Sequence, residues 1–224
     1  YSSLATQRRD IGCGEGSNTR QLARRAGRID AIDIAPTFVA NAQAVEDADP
    51  LGITFQVADA LALPFDDETF DFATSFMAMM DIPQPEKALA EAGRVLKPGG
   101  FLQFSILHPC FVPPRRRNVR DDAGNPVAVE VADYFANIDG MVETWSFSSV
   151  PEAERAHIQP FHVPRFHRTL SQWVNMIGDA GLYLEKLGEP QADEATASAE
   201  PIVADTRIAP IFLHFRARKP RDRQ

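Results

Sequence analysis

Three glycines at alternate positions, Gly12, Gly14 and Gly16, follow an acid, Asp10, and precede Ser17, Asn18 and Thr19. Glycines at that spacing let a backbone turn sharply and approach a ligand closely. A helix starting there aims unpaired N–H groups, and the positive end of its dipole, at whatever the turn holds. The stretch DIGCGEGSNTR therefore reads as a loop for an anionic or nucleotide-like ligand. Loops for dinucleotides follow G-x-G-x-x-G. Here the order is G-x-G-x-G, and Ser17 stands where the third dinucleotide glycine belongs.

Two more acids extend the pattern. Asp33 closes an apolar stretch roughly 20 residues on, where a carboxylate accepts both ribose hydroxyls. Asp59 closes the next one, where a carboxylate meets an adenine amino group. A ligand with adenosine and a small anion, and no second nucleotide, satisfies all three features. S-adenosylmethionine is such a ligand, with its carboxylate toward the helix end and its ribose on Asp33.

Five histidines are present. His108 follows an apolar strand at the edge where ligands bind in open sheets. His167 precedes a late helix over the same edge. Both are candidates for a base or an orienting group, because neutral imidazole titrates near working pH. His214 reads as structural, and His157 and His162 as exposed. Cys13 fits a small-residue position. With Cys110 it forms neither a disulfide framework nor a metal-ligand spacing, so no metal is expected. Met77, Met79 and Met80 offer a soft, adaptable wall. Trp145, Phe147, Phe161 and Phe166 offer aromatic walls for an acceptor.

The elements that must position these residues alternate. A helix after the glycine loop is capped by Ser17 or Asn18 and stopped by Gly27. Strands are expected at Ile29–Ile34, at ITFQVADA, at FDFATSF and at Phe101–Leu107. Helices are expected from Pro36 to about Val45 and from Pro85 to Leu96, where apolar residues recur at 3- and 4-residue spacing. LKPGG reads as a turn. Residues 108–166 break the rhythm and read as an inserted, irregular lid or substrate segment. The alternation resumes with a helix, Ser171–Ala180, a strand, Leu182–Leu187, a long surface loop, Glu189–Ala209, and a final strand, IFLHFRAR. The fold class that follows is α/β: a Rossmann-like, mostly parallel sheet of seven strands, helices on both faces, and a lid segment after the fifth strand. The chain reads as one domain, with a cofactor-binding core at 10–107, the insert at 108–166 and the end of the sheet at 167–218. One stretch resists. The strand before the loop should be apolar, yet it reads ATQRRDI. Either it is unusually short, or residues are omitted between Arg9 and Asp10 and before Tyr1; the polarity favours omission.

A formal net charge of −8 speaks against a general nucleic-acid surface. Arg115-Arg116-Arg117 and the final RARKPRDRQ read as solvated exceptions. No apolar run nears the roughly 18 residues that span a bilayer, and no secretory pattern opens the chain. A cytoplasmic location is the expectation.

The stretches DIGCGEG, AIDIAP, VADALALPFDDETFDFA, PEKALAEAGRVLKPGG and LSQWVNMIGDAGL resemble, in order, those of class I S-adenosylmethionine-dependent methyltransferases. The resembling branch includes quinone-biosynthesis methyltransferases. The resemblance covers residues 10–106 and about 169–218. It implies that Asp10, Gly12, Gly14 and Gly16 shape the methionine end of the site, and that Cys13, Asn18, Thr19 and Ile34 are also among the cofactor-binding residues. Asp33 would hold the ribose, Asp59 and the backbone of Ala60 would frame the adenine, and Phe76 and Met77 would lie along the methionine portion. It also implies methyl transfer to O, N or C of a small-molecule acceptor by in-line displacement. Many relatives carry a histidine pair after the fourth strand. Here the residues are Met79-Met80-Asp81. A nicotinamide-dependent oxidoreductase and a non-catalytic S-adenosylmethionine-binding protein are the alternatives.

Overall fold

The first strand is short and polar, yet it lies inside the sheet with a neighbour on either side. In the computed structural model, which describes residues 7–145 and 161–221, β1 spans Arg8–Ile11. It runs unbroken through Arg9 and Asp10. Arg9 pairs with Asp30 and Ala73, and Asp10 with Ala31 and Thr74. Arg9 is fully buried. Its guanidinium carbon lies 3.3 Å from the ring centre of Phe65 and 4.9 Å from that of Phe70. Aromatic faces thus occupy the space that apolar strand residues would fill.

The chain divides into two compact units. The first holds residues up to Ile106, then Ser171–Gly188 and the stretch from His214. Its strands are β2 (Ile29–Asp33), β3 (Ile53–Val57), β4 (Phe70–Phe76) and β5 (Leu96–Leu107). β10 (Tyr183–Gly188) and β11 (Phe212–Arg218) complete a seven-stranded sheet in the order β10-β11-β5-β4-β1-β2-β3. The pairs β1–β2, β2–β3, β1–β4 and β4–β5 are parallel, and β10–β11 is antiparallel. Strand order reverses at β1, where β2 lies on one side and β4 on the other. Right-handed crossovers leaving in opposite directions place their helices on opposite faces. Those helices are α1 (Ser17–Ala26), α2 (Pro36–Ala48) and α3 (Pro85–Val95), followed later by α4 (Leu170–Asp179).

Two apolar layers hold the sheet. Ala23 of α1, with Val39 and Ala42 of α2, packs on Ile29, Ala31, Ile53 and Phe55. Farther along, Phe104 stacks on Phe215 at 4.8 Å and tilts against Trp173 at 5.9 Å.

Three local expectations need correction. No side chain caps α1. Its N-cap is Gly16 at φ 79°, and neither Ser17 nor Asn18 fills that role. A left-handed cap suits glycine, and a Cβ there would come within 2.7 Å of the Phe55 ring. LKPGG is not a turn ahead of the fifth strand. β5 already begins at Leu96 and absorbs the proline and glycines in a register shift opposite Phe70 and Phe72. β3 ends at Val57, so Asp59 lies in the following turn.

The second unit holds Leu107–Leu170 and Glu189–Leu213. The expected irregular segment contains two antiparallel ribbons. One pairs β6 (Arg115–Arg120) with β7 (Pro126–Ala132), the other β8 (Asp139–Trp145) with β9 (Phe161–Phe166). The half-buried face of β6 is made by Arg116 and Asn118, polar like the exposed Arg115 and Arg117, so the alternation in burial has no counterpart in the hydrophobicity of RRRNVR. Its arginines meet acids: Arg115 pairs with Asp133 and Arg117 with Glu130. The expected surface loop at 189–209 contains a short helix, α5 (Glu194–Ala199), and a 3₁₀ segment, Pro201–Arg207. Asp193 caps α5 by accepting the Thr196 N–H at 2.7 Å. Buried Asp205 ties the 3₁₀ segment to β6 through Arg120 and Asn118. His157 and Phe147 lie outside the described residues, as do the side chains of Trp145 and Phe161.

Candidate functional site

At the end of β1 the chain turns through Gly12 (φ 71°) and Gly14 (φ 54°). A Cβ on Gly12 would stand 2.4 Å from that of Ala78, so nothing larger than glycine fits against the segment after β4. The loop is stapled to β2. The N–H groups of Gly12 and Cys13 both donate to Ile32 O at 2.9 Å, and that of Gly14 donates to Asp33 Oδ2 at 2.8 Å. These three amides are therefore not open to an anion, as the glycine spacing alone suggests. The uncapped first turn of α1 keeps its own N–H groups outside the helical ladder.

Asp10 braces the loop from behind. It is buried, and accepts the Thr19 hydroxyl at 2.5 Å and the Thr74 hydroxyl at 2.9 Å. Burial pushes its carboxyl up to about 6, against the pull of those two hydroxyls. Asp10, Gly16, Asn18 and Thr19 do not line the cavity that the loop borders. They shape it from outside.

That cavity, of about 510 Å³, lies within the first unit at the strand-order reversal. Gly12, Cys13, Gly14, Asp33 and Ile34 form one wall; Asp59 and Ala60 stand at another; Phe76 and Met77 close a third. Asp33 is the best organised of these. Its Oδ2 holds Gly14 and its Oδ1 accepts the Ala35 N–H at 2.9 Å. A carboxylate offers about four acceptor sites, so each oxygen retains one for a vicinal diol. Asp59 accepts the Leu61 N–H at 2.9 Å through Oδ1. Exposed apolar side chains of Ile34 and Phe38 flank the opening and suit a planar base. The Cys13 thiol, pushed up to about 12 by burial, is no nucleophile.

The sequence reading missed Asp81. It lines the same cavity from the 3₁₀ turn Met79–Asp81, together with Ile82 and Pro83. Its signal was present as an acid where relatives carry histidine. Met77 is unusual as well. It holds φ 54°, a left-handed conformation disfavoured for a long side chain. Ser105 keeps it there by accepting the Met77 N–H at both its carbonyl (3.1 Å) and its hydroxyl (3.2 Å).

The two candidate histidines belong to the second unit. His108 is buried. Its Nδ1 accepts the Cys110 N–H at 3.2 Å, so the proton sits on Nε2, 2.9 Å from Glu189 Oε1. Neither nitrogen then keeps a lone pair for a substrate proton. His167 Nε2 donates to Tyr134 O at 2.8 Å, and burial pushes its pKa down.

A family model described as a methyltransferase domain matches residues 9–104. That stretch thus resembles a methyltransferase domain. The matched span holds the glycine loop, Asp33, Asp59 and the 76–81 wall. Demethylmenaquinone methyltransferase from Thermus thermophilus is 40% identical over 108 residues, covering 47% of this chain and 48% of that one. The biotin biosynthesis bifunctional protein BioHC of Teredinibacter turnerae is 32% identical over 161 residues, covering 67% of this chain and 26% of that one. The chain thus spans about half or less of these relatives' lengths. In fold it is similar to an S-adenosylmethionine-dependent methyltransferase from Mesorhizobium loti. That structure gives a TM-score of 0.75 at 24% identity, covering 96% of this chain and 91% of that chain.

At the wall after β4, Met77→Gly is expected to relieve backbone strain of about 1 kcal/mol or more. The flexibility that glycine adds to the unfolded chain offsets much of it. Thermal unfolding should therefore move by no more than about 3 °C. A fall beyond that would mean the Met77 side chain, not its backbone, holds this wall.

Proposed function

We propose that the cavity binds S-adenosylmethionine and that the chain transfers the methyl group to O, N or C of a small-molecule acceptor. The observation that carries this reading is Asp33. Both its oxygens are fixed by backbone N–H groups, and both keep an acceptor site at the cavity wall. The group, when bound, supplies a methyl activated by a sulfonium charge. The chain's residues do the rest. Asp33 holds the ribose hydroxyls, Asp59 and Ala60 meet the adenine edge, and Ile34 and Phe38 cover its faces. The tight approach of Gly12 to Ala78 keeps the loop and the post-β4 wall in register. Holding reactants in line in this way is worth up to about 7–11 kcal/mol in favourable cases. His108, with both nitrogens engaged, serves as a brace for the turn at 108–112; Val112 N–H also returns to His108 O at 2.8 Å.

The acceptor is a small molecule, in keeping with the relatives named for demethylmenaquinone and for biotin biosynthesis. Among the described residues no helix is long and apolar enough to cross a membrane, and we place the activity in the cytoplasm. Calorimetric titration with S-adenosylmethionine, S-adenosylhomocysteine and NAD tests the reading. Binding of the first two without the third is expected. Binding of NAD alone would assign the loop to a dinucleotide. Methyl-labelled cofactor with a panel of candidate metabolites then separates an enzyme from a sensor.

A further inference from the structure

Among the described residues the cavity wall carries three carboxylates, Asp33, Asp59 and Asp81, and no lysine, arginine or histidine. Two of them have backbone partners: Asp33 holds Gly14 and Ala35, and Asp59 holds Leu61. Asp81 differs. Its own N–H closes onto Ala78 O at 3.0 Å, but among the described residues no donor or cation meets its carboxylate. The neighbouring wall is apolar, made by Met77, Ala78, Ile82 and Pro83. An uncompensated negative charge beside such a wall attracts a cation more strongly than it would in open water.

We infer that Asp81 is the charge selector of this site, favouring the cationic sulfonium of S-adenosylmethionine over the neutral thioether of its demethylated product. This rests on the reading of the cavity as the S-adenosylmethionine site. The two ligands share adenosine, ammonium and carboxylate, and differ in the methyl group and the charge it confers on sulfur. A carboxylate that senses this difference helps the spent molecule leave.

Other charges do not imitate the effect. On α3, which packs against the 79–81 turn, Glu86 and Lys87 are exposed and do not shift Asp81. Cys13 stays neutral across the working range. Asp33 and Asp59 face both ligands alike. The desolvating wall alone pushes the Asp81 carboxyl up to about 6, although the side chain remains solvent-accessible. That accessibility keeps the selectivity modest.

The test is calorimetry of wild type and Asp81→Asn with both ligands, at about pH 7.5 and about pH 5. The affinity ratio of S-adenosylmethionine to S-adenosylhomocysteine should fall about threefold or more in the variant at the higher pH. In wild type it should fall similarly on acidification, whereas the variant's ratio should stay flat. Asp10 titrates in the same range, but it braces the loop behind both ligands and drops out of the ratio. A ratio unchanged by the substitution overturns the inference. So does equal weakening of both ligands, which would place the carboxylate at the shared amino-acid end. The wild-type acidification arm decides the matter even if the variant misfolds. Should wild type bind neither ligand, the reading of the cavity itself fails first, and this inference falls with it.

Discussion

Asp33→Ala is expected to weaken S-adenosylmethionine binding by about 100- to 1000-fold, measured by calorimetry, with little change in the circular dichroism spectrum. Two effects add. The first is the loss of two charge-assisted acceptors for the ribose hydroxyls, each worth about 1.5–3 kcal/mol when desolvated. Partial exposure of the site lowers the sum to about 3–4 kcal/mol, and each 1.4 kcal/mol is tenfold in affinity. The second is loss of the anchor itself. Asp33 is what the Gly14 N–H donates to, so without it the loop loses its third tie to β2. Asp33→Asn is the sharper control. It is nearly isosteric, but its amide nitrogen must face the N–H of either Gly14 or Ala35, donor against donor. The asparagine variant should therefore lose nearly as much as alanine. Binding within about threefold of wild type in both variants would remove Asp33 from the site.

The repeating part of the fold was legible because burial and periodicity agree there. α3 places Ala88, Leu89, Ala92 and Val95 on one buried stripe, and the sequence spacing predicts the helix within one residue. Asp33 was legible because its place at the end of β2 follows from the crossover geometry. What the sequence hid has a common cause: tertiary partners. Which loop amides stay open depends on Ile32 O and Asp33, and neither contact has a local signature. Asp10 looks like a ligand residue in sequence. The hydroxyls of Thr19 and Thr74 turn it into a brace. Asp81 looks like a departure from the relatives' histidine pair, and only the cavity wall shows that its carboxylate meets no donor among the described residues. The β6 ribbon of the second unit escaped because its half-buried face is built from polar residues, Arg116 and Asn118, so burial alternates where hydrophobicity does not.

Arg9→Leu should raise the stability of the folded chain by about 2–4 kcal/mol, and its melting temperature by about 5–10 °C. In most buried ion pairs a partner returns part of the desolvation cost. Among the described residues Arg9 has no such partner: its Nε and both terminal nitrogens are buried without a hydrogen-bond acceptor. Asp10 and Asp30 act on it only at a distance, and desolvation still pushes its guanidinium down to about 9. The rings of Phe65 and Phe70 return some of this, on the order of 2 kcal/mol for a desolvated cation. Leucine keeps the apolar contact with both rings and removes the charge. Arg9→Lys should act in the opposite direction, because an ammonium is more strongly hydrated and cannot stack flat on Phe65. A loss of stability in Arg9→Leu would show instead that the guanidinium is a positive element of the sheet. The sign of the pH dependence gives a second check. Arg9 holds down the carboxyl of Asp10, which already sits near 6. Without that positive charge the folded-state pKa of Asp10 rises further above its unfolded value. A carboxyl raised in the folded state favours folding at low pH, and that advantage is lost as pH climbs through the folded pKa. The gain from Arg9→Leu should accordingly be larger near pH 5 than near pH 8, and denaturant titration at the two values would reveal it.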